Sequence, residues 1–427
     1  MRITSHTKGL HPMNALPDSN RTSPTNGSAR RAELFYLDKL PKEQVLAASP
    51  ARLRKVKTYG APRHDNRLIA GDNLRVLRAL LDDPSVAADV RLVYIDPPFA
   101  TGSAFGSTTV GHAYEDGERG AQYLESLRRR VILMRELLAP NGSIYVHLDS
   151  TMIFEVKLLM DEVFGPKSFR NLITRVKCNP KNQATRQYGD VCDYLLFYTK
   201  SQEFTWNPPI VPWEPGEGEK EYNCVEEETG RRFKKVPCHL PGVRNGPTGD
   251  LWRGVKPPPG KHWVHSPKKL DELDRLGRIY WSANGNPRRK LYLDETQGKS
   301  RHNLWTDLRD SQNQNARVTG YPTEKNIELL RLIVEASSSP EDLVLDAYCG
   351  SGTTLAAAGG LGRRWIGIDN SPTAIRTTLE RLTLGTPLMG SHARRTYIIR
   401  NQGEELPDAD TAFHFWADRD NAESLDL

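Results

Sequence analysis

Between positions 67 and 200, short continuous apolar runs alternate with longer stretches whose apolar residues recur every three or four positions. The first pattern predicts buried strands and the second amphipathic helices. The strands fall at 67–70, 90–95, 143–148 and 193–198, and the helices at 74–81, 122–138 and 152–164. Pro140-Asn141-Gly142 reads as a turn. Runs that are apolar throughout, such as Leu92-Val93-Tyr94-Ile95, suit a parallel sheet covered on both faces. From 201 the alternation stops. Trp206, Trp213, Trp252, Trp263, Trp281 and Trp305 lie among Pro208-Pro209 and Pro257-Pro258-Pro259. This predicts a separate module of short strands and loops with one helical patch at 267–277. Its tryptophans are expected to form small cores rather than surfaces for stacking. The alternation resumes with a helix at 323–336, a strand at 343–345, a glycine turn, a helix at 353–360, a strand at 365–368 and a helix at 372–384.

The flanking pieces, 46–200 and 321–400, read as one doubly wound Rossmann-like α/β sheet, with 201–320 inserted into it. Residues 1–45 read as an arm, disordered up to about position 32, and 401–427 as an acidic tail. In a chain of 427 residues with net charge +6, the distribution of charge says more than the total. Between Thr229 and Gly320 there are 19 Lys and Arg against 8 Asp and Glu. Such a basic segment in an otherwise acidic chain is an electrostatic footprint for a polyanion. No run approaches the length of a membrane-spanning helix, and the N-terminus lacks the apolar core of a secretory signal. The five cysteines are scattered and suit a reducing cytoplasm; no metal site is expected, since Cys224 and Cys238-His239 match no ligand spacing.

The glycine turn is Asp346-Ala347-Tyr348-Cys349-Gly350-Ser351-Gly352-Thr353, placed between a strand and a helix. Glycines there permit positive φ and close approach of backbone to a nucleoside. A second strand ends in Asp369, whose carboxylate can accept both ribose hydroxyls. Leu355 fills the third-glycine position of a dinucleotide fingerprint, and the Gly-Lys-Ser/Thr of a phosphate loop is absent. S-adenosylmethionine is the cofactor that this context favours.

Asp96-Pro97-Pro98-Phe99 closes the strand at 90–95. Two prolines fix the backbone and remove its donors. The Asp96 carboxylate and the Pro97 carbonyl can then form a rigid pair of acceptors for the two N–H groups of an exocyclic amine. Phe99 offers a ring for a base to stack on, worth roughly 1–3 kcal/mol. A carbon-5 cytosine methyltransferase would need a thiolate, and Pro237-Cys238 lies in the irregular module instead.

These motifs resemble the β-class DNA amino-methyltransferases, in which the catalytic motif precedes the cofactor motif, so the motif order is circularly permuted. The resemblance covers most of 67–385. It implies methyl transfer to adenine N6 of a flipped base in double-stranded DNA. The family's cytosine-N4 enzymes usually have Ser in place of Asp96. It implies catalytic roles for Asp96, Pro97, Pro98 and Phe99. Asp72, Thr323, Lys325, Asp346, Cys349, Gly350, Ser351, Gly352, Thr353 and Asp369 would bind the cofactor. Within the insertion, which would be the target-recognition domain, Arg253, Lys256, Arg288, Arg289 and Lys290 would contact phosphates, and the Asn/Gln run at 310–315 would read adenine edges. Asn326 stands where the family commonly has Pro and is expected to loosen the helix start; Ala100 stands where the long-loop subgroup has Asn. A homodimer and a separate restriction subunit are family habits and are expected on that ground alone. Two rivals stand beside this reading: cytosine-N4 transfer, which acceptor geometry alone does not exclude, and a weakly catalytic DNA-binding protein, which the intact Asp96 argues against.

Overall fold

The computed structural model describes residues 33–98, 104–107, 111–115, 120–179, 186, 188–310, 318–386 and 412–419, the short segments 104–107 and 111–115 by backbone alone. Phe99, Ala100 and 311–315 lie outside the described residues.

The central sheet has the spatial order Leu53–Tyr59, Phe413–Asp418, Arg67–Ala70, Arg364–Asp369, Leu343–Asp346, Val90–Ile95, Leu138–Leu148, Cys192–Thr199, Phe169–Val176 and Leu304–Trp305. Neighbours from Phe413–Asp418 through Leu138–Leu148 are parallel. Cys192–Thr199 runs antiparallel to both its neighbours. The doubly wound α/β class expected from the alternation is the class observed.

Side chains alternate between two buried layers, as a pleated strand requires. Ile69, Val93, Ile95, Leu345 and Ile366 share a core with helices Asn73–Leu81, Ala121–Leu137 and Ile153–Phe164. Leu68, Leu92, Tyr94, Val344 and Trp365 share the other with Ile327–Ser337, Thr353–Gly360 and Pro372–Leu384. Chain before the insertion therefore builds one layer of helices, and chain after it the other. From Leu343–Asp346 the chain crosses to Arg364–Asp369 on one side. From Val90–Ile95 it crosses to Leu138–Leu148 on the opposite side. The two strands are neighbours, so a crevice opens where their carboxyl ends diverge.

Several elements differ from the sequence reading. The turn at Pro140-Asn141-Gly142 is a bulge within Leu138–Leu148: Val90 pairs with Leu138 but Leu92 with Ser143. A Cβ on Gly142 would lie 2.8 Å from the Val90 carbonyl oxygen, so only glycine fits there. The segment read as an acidic tail supplies Phe413–Asp418 to the sheet interior, where Asp418 is fully buried and accepts from Arg52 N at 3.1 Å. Within the segment read as an arm, Tyr36 and Leu40 are tied to Glu125 on the long helix. Trp305 leaves the insertion and joins the sheet edge beside Phe169–Val176.

The remaining insertion holds a four-stranded sheet in the order Cys224–Val225, Arg232–Pro237, Pro287–Tyr292 and Ile279–Trp281. Its small core is Cys238, Trp252, Trp263, Leu270 and Ile279. The tryptophans there pack against one another, with Trp252 and Trp263 edge to face at 5.9 Å. Among the described residues no helix is long and apolar enough to cross a membrane.

Candidate active site

The crevice at the diverging strands is a cleft of about 800 Å³, its open mouth included. Two motifs far apart in sequence meet in it. Asp96, Pro97 and Pro98 form one wall, and Asp346, Cys349, Gly350, Ser351, Thr353 and Asp369 another. Thr323 and Lys325 close a third side.

The glycine turn works through conformation and clearance. Gly350 and Gly352 have φ of +51° and +74°, where side chains are strained. Gly350 N donates to Asp369 Oδ2 at 2.9 Å, and Ser371 N donates to Oδ1 at 2.9 Å. The turn is thus fastened to the neighbouring strand through the acid expected to serve the cofactor. Gly352 has a different reason to be glycine: a Cβ there would lie 2.7 Å from Thr378 Cγ2. It does not line the cleft. Leu355, in place of a third glycine, is accommodated because Gly367 faces it; a Cβ on Gly367 would lie 2.4 Å from Leu355 Cδ1.

Carboxylates dominate the electrostatics. Burial pushes the Asp346 carboxyl up to about 7, partly countered by hydrogen bonds from Thr354 and the Tyr348 N–H, and Asp96 and Asp369 add repulsion. Burial also raises Asp369, against the backbone donors that hold it. The Cys349 thiol lies well above its ordinary range, again through burial, with Asp369 and Asp346 adding to it. A cleft in which two buried carboxyls resist ionisation accommodates a cationic ligand, whose charge would restore them. S-adenosylmethionine, with its sulfonium and ammonium groups, fits that chemistry.

Among the described residues, Asp96 is held from one side. Its Oδ2 takes an ion pair from Lys325 Nζ at 2.7 Å, with both side chains largely buried. Its Oδ1 is buried and has no hydrogen-bond partner among the described residues. A buried, unpaired carboxylate oxygen is costly and marks where a donor belongs. Lys325, expected to bind the cofactor, lines the cleft and pairs with Asp96.

The segment carrying Lys325 is clamped. Glu324 Oε2 accepts from Thr319 N and Oγ1, each at 2.7 Å, and its Oε1 pairs with Arg381. Arg381 also donates to Thr353 Oγ1 at 2.6 Å, so the clamp ends on the cofactor turn's own helix. Thr323 beside it sits at φ +63°, a strained value for a β-branched residue that such a clamp can impose. Asn326 does not loosen the helix. Its side chain accepts from Glu328 N at 3.0 Å as an N-cap and donates to the Arg309 carbonyl at 2.9 Å.

Not every expected residue reaches the cleft. Asp72 caps the Asn73–Leu81 helix through Leu74 N and pairs with Arg130 at 3.3 Å; it is not part of the lining. In the module, Arg253 is engaged by Asp271 and Asp274, and Lys290 by Glu226. Lys256 and Arg288 are exposed with no ion pair among the described residues. Arg288 and Lys261 depress His239, after burial, and Arg289 and Lys269 depress His265 likewise. Positive charge therefore lies around both imidazoles. Cys238 lies in the small core, its thiol pushed to about 11 by burial, which rules it out as a thiolate at neutral pH. Tyr94, Asn370 and Ser371 line the cleft without having been foreseen. Strand alternation could have found Tyr94, two residues before Asp96.

A family model described as DNA methylase matches residues 90–380. The chain is 42% identical to the type II methyltransferase M.EcaI of Enterobacter cloacae, over 91% of this chain and 86% of that one. It is 25% identical to the Mod subunit of the StyLTI type III restriction-modification enzyme of Salmonella typhimurium, over 68% of this chain and 49% of that one. Among solved structures it resembles the M1.HpyAVI–SAM complex (17% identity, TM-score 0.40, 74% of this chain and 98% of that one). It also resembles the cytosine-N4-specific PvuII DNA methyltransferase (15% identity, TM-score 0.42, 82% and 98%). With the family model matching residues 90–380 and a 42% identical relative covered over 86% of its length, the chain belongs to the N6/N4 family of DNA amino-methyltransferases.

Proposed function

We propose that this protein transfers a methyl group from S-adenosylmethionine to the N6 of adenine in duplex DNA. The observation that supports it most is the Asp96 carboxylate, with Oδ2 held by Lys325 and Oδ1 buried in the cleft without a partner among the described residues. An exocyclic amine supplies the missing donor. Asp96 Oδ1 and the Pro97 carbonyl would accept its two protons. That fixes the nitrogen, turns its lone pair toward the cofactor, and offsets the positive charge that grows on it. When bound, S-adenosylmethionine supplies an electrophilic methyl group, so the new N–C bond replaces the S–C bond. One amine proton is then lost, and Asp96 Oδ1 would receive it. Asp346, Asp369 and the glycine turn would hold the cofactor, with Ser351, Thr353 and Cys349 beside it. Phe99 would stack on the base, which must leave the duplex to reach the cleft, at a cost of a few kcal/mol.

Adenine rather than cytosine rests on the aspartate at 96. The module is the target-recognition domain in this reading. Its cationic side chains Arg288, Arg289, Lys256 and Lys261 would contact the phosphate backbone. Arg253 and Lys290 act within the module instead, since acids already engage them. The resemblance to type II methyltransferases and to a Mod subunit supports a role in restriction–modification, with cleavage on a separate chain; a homodimer is also proposed on family grounds.

Asp96→Ala tests the assignment. It should abolish methylation and leave S-adenosylmethionine affinity within a few fold. Unchanged methylation would refute it.

A further inference from the structure

A row of polar side chains crosses the carboxyl edge of the sheet, and the mechanism above uses none of them. Tyr94 lines the cleft, and its hydroxyl is 2.7 Å from His147 Nδ1. His147 Nε2 lies 2.9 Å from Asp193 Oδ2. Arg175 Nε donates to Asp193 Oδ1 at 2.8 Å, and Nη2 contacts Asp193 Oδ2. The same Nη2 donates to Asp310 Oδ1 at 2.7 Å, while Nη1 donates to the Leu308 carbonyl at 3.1 Å. Four neighbouring strands each give one member: Val90–Ile95, Leu138–Leu148, Cys192–Thr199 and Phe169–Val176. Three of those residues stand next to last in their strands. Asp193 stands second in the antiparallel one, so all four fall at one edge.

The depth of the row is what calls for a role. His147 and Arg175 are 0% exposed, Tyr94 2% and Asp193 3%. A buried ion pair is a poor source of stability, because desolvation offsets its attraction, and apolar side chains could fill the same space. What such a row does supply is fixed geometry, since every member limits the rotation of the next. One end is a cleft residue two positions from Asp96. The other is Asp310, where the chain coming back from the inserted module is pinned to the sheet, its N–H donating to the Lys177 carbonyl at 2.9 Å. Next to it, Arg309 gives its carbonyl to Asn326, the cap of the helix that follows Lys325. The return of the module is therefore bound to both sides of the catalytic carboxylate.

We propose that Tyr94, His147, Asp193, Arg175 and Asp310 are positioning residues that lock the cleft wall beside Asp96 to the point where the module rejoins the sheet, so that DNA seated on the module aligns the reacting amine. The proposal rests on the methyl-transfer reading above. Its prediction is coupling between two residues, one in the cleft and one outside it.

The test is a double-mutant cycle with Tyr94→Phe and Asp310→Asn, both of which keep the shape of the side chain. Methyl transfer to mixed-sequence duplex DNA is measured at saturating S-adenosylmethionine and DNA, with cofactor affinity and melting temperature alongside. Each single variant should lower kcat by roughly tenfold, with cofactor affinity within about twofold and the fold kept. The double variant should be no slower than the slower single, because both break one chain. Unchanged kcat in Asp310→Asn, or losses that multiply in the double variant, would overturn the proposal. A row that only stabilised the fold would shift melting temperature and leave kcat alone, which also overturns it. A wild-type protein without methyl transfer in this assay would instead defeat the reading of function on which the proposal stands.

Discussion

The raised carboxyl of Asp346 makes cofactor affinity depend on pH. In the free protein, burial holds this group at about 7 instead of 3.8. Below about 7 it is therefore mostly protonated, and a cationic cofactor meets a neutral wall. Binding of a cation would return the carboxyl toward its ordinary value and release a proton. If the bound state recovers that value fully, linkage makes the affinity at about pH 5.5 roughly 20-fold weaker than at about pH 7.5. The upper limit stays below the range, about 7.7–8.0, in which a cofactor amino group itself titrates. Asp369 is raised in the same direction and adds to the slope. Asp346→Asn should weaken binding at the upper pH and flatten most of the dependence. Stability runs the opposite way in the free protein. The contribution of Asp346 is fully present below 3.8 and is lost as pH rises through about 7. Calorimetric titration with S-adenosylmethionine across this range, with circular dichroism to check the fold, reads both effects. A flat affinity profile in the wild type, or an equal slope in Asp346→Asn, would refute the reasoning.

Other consequences can be checked with less material. Lys325→Gln should cut the rate of methylation by about tenfold or more while cofactor affinity stays within a few fold, because Lys325 is on Asp96; a larger loss of affinity than of rate would return it to the cofactor. Gly352→Ala should cost about 1–3 kcal/mol, since a Cβ would strike Thr378 and φ is +74°; an unchanged melting temperature would show that the helix yields freely. Arg288→Ala should reduce the salt dependence of DNA binding by about one phosphate contact, whereas Arg253→Ala should leave that slope alone, as read from binding at several salt concentrations.

Much of this architecture could be read from apolar periodicity, because strands buried on both faces must be apolar throughout. The failures have physical causes. Leu53–Tyr59 has five exposed residues of seven and sits at the sheet edge, where nothing forces apolar alternation. Phe413–Asp418 lay within an acidic stretch whose average charge concealed it. Its aromatic alternation, Phe413 and Phe415 inward, was the available signal. In the site, both motifs were legible because backbone constraints write themselves as Gly and Pro. Partnerships were not, since Lys325 with Asp96 and Glu324 with Arg381 depend on the fold bringing distant charges together. Asp72 shows the converse. An acid after a strand serves equally as a helix cap, and the cap is what the structure makes of it. At Gly352 the closeness of Thr378 is a packing reason for glycine that the sequence did not display.

Methyl transfer to an adenine amine at Asp96 leaves a methylated nucleoside as its product. The most direct measurement incubates the protein with labelled S-adenosylmethionine and mixed-sequence duplex DNA, then identifies the methylated nucleoside by mass. N6-methyladenosine in the wild type, and none in Asp96→Ala, is the result expected. N4-methylcytidine would contradict the choice of base while keeping the mechanism, and no methylated nucleoside despite intact cofactor binding would contradict the account itself.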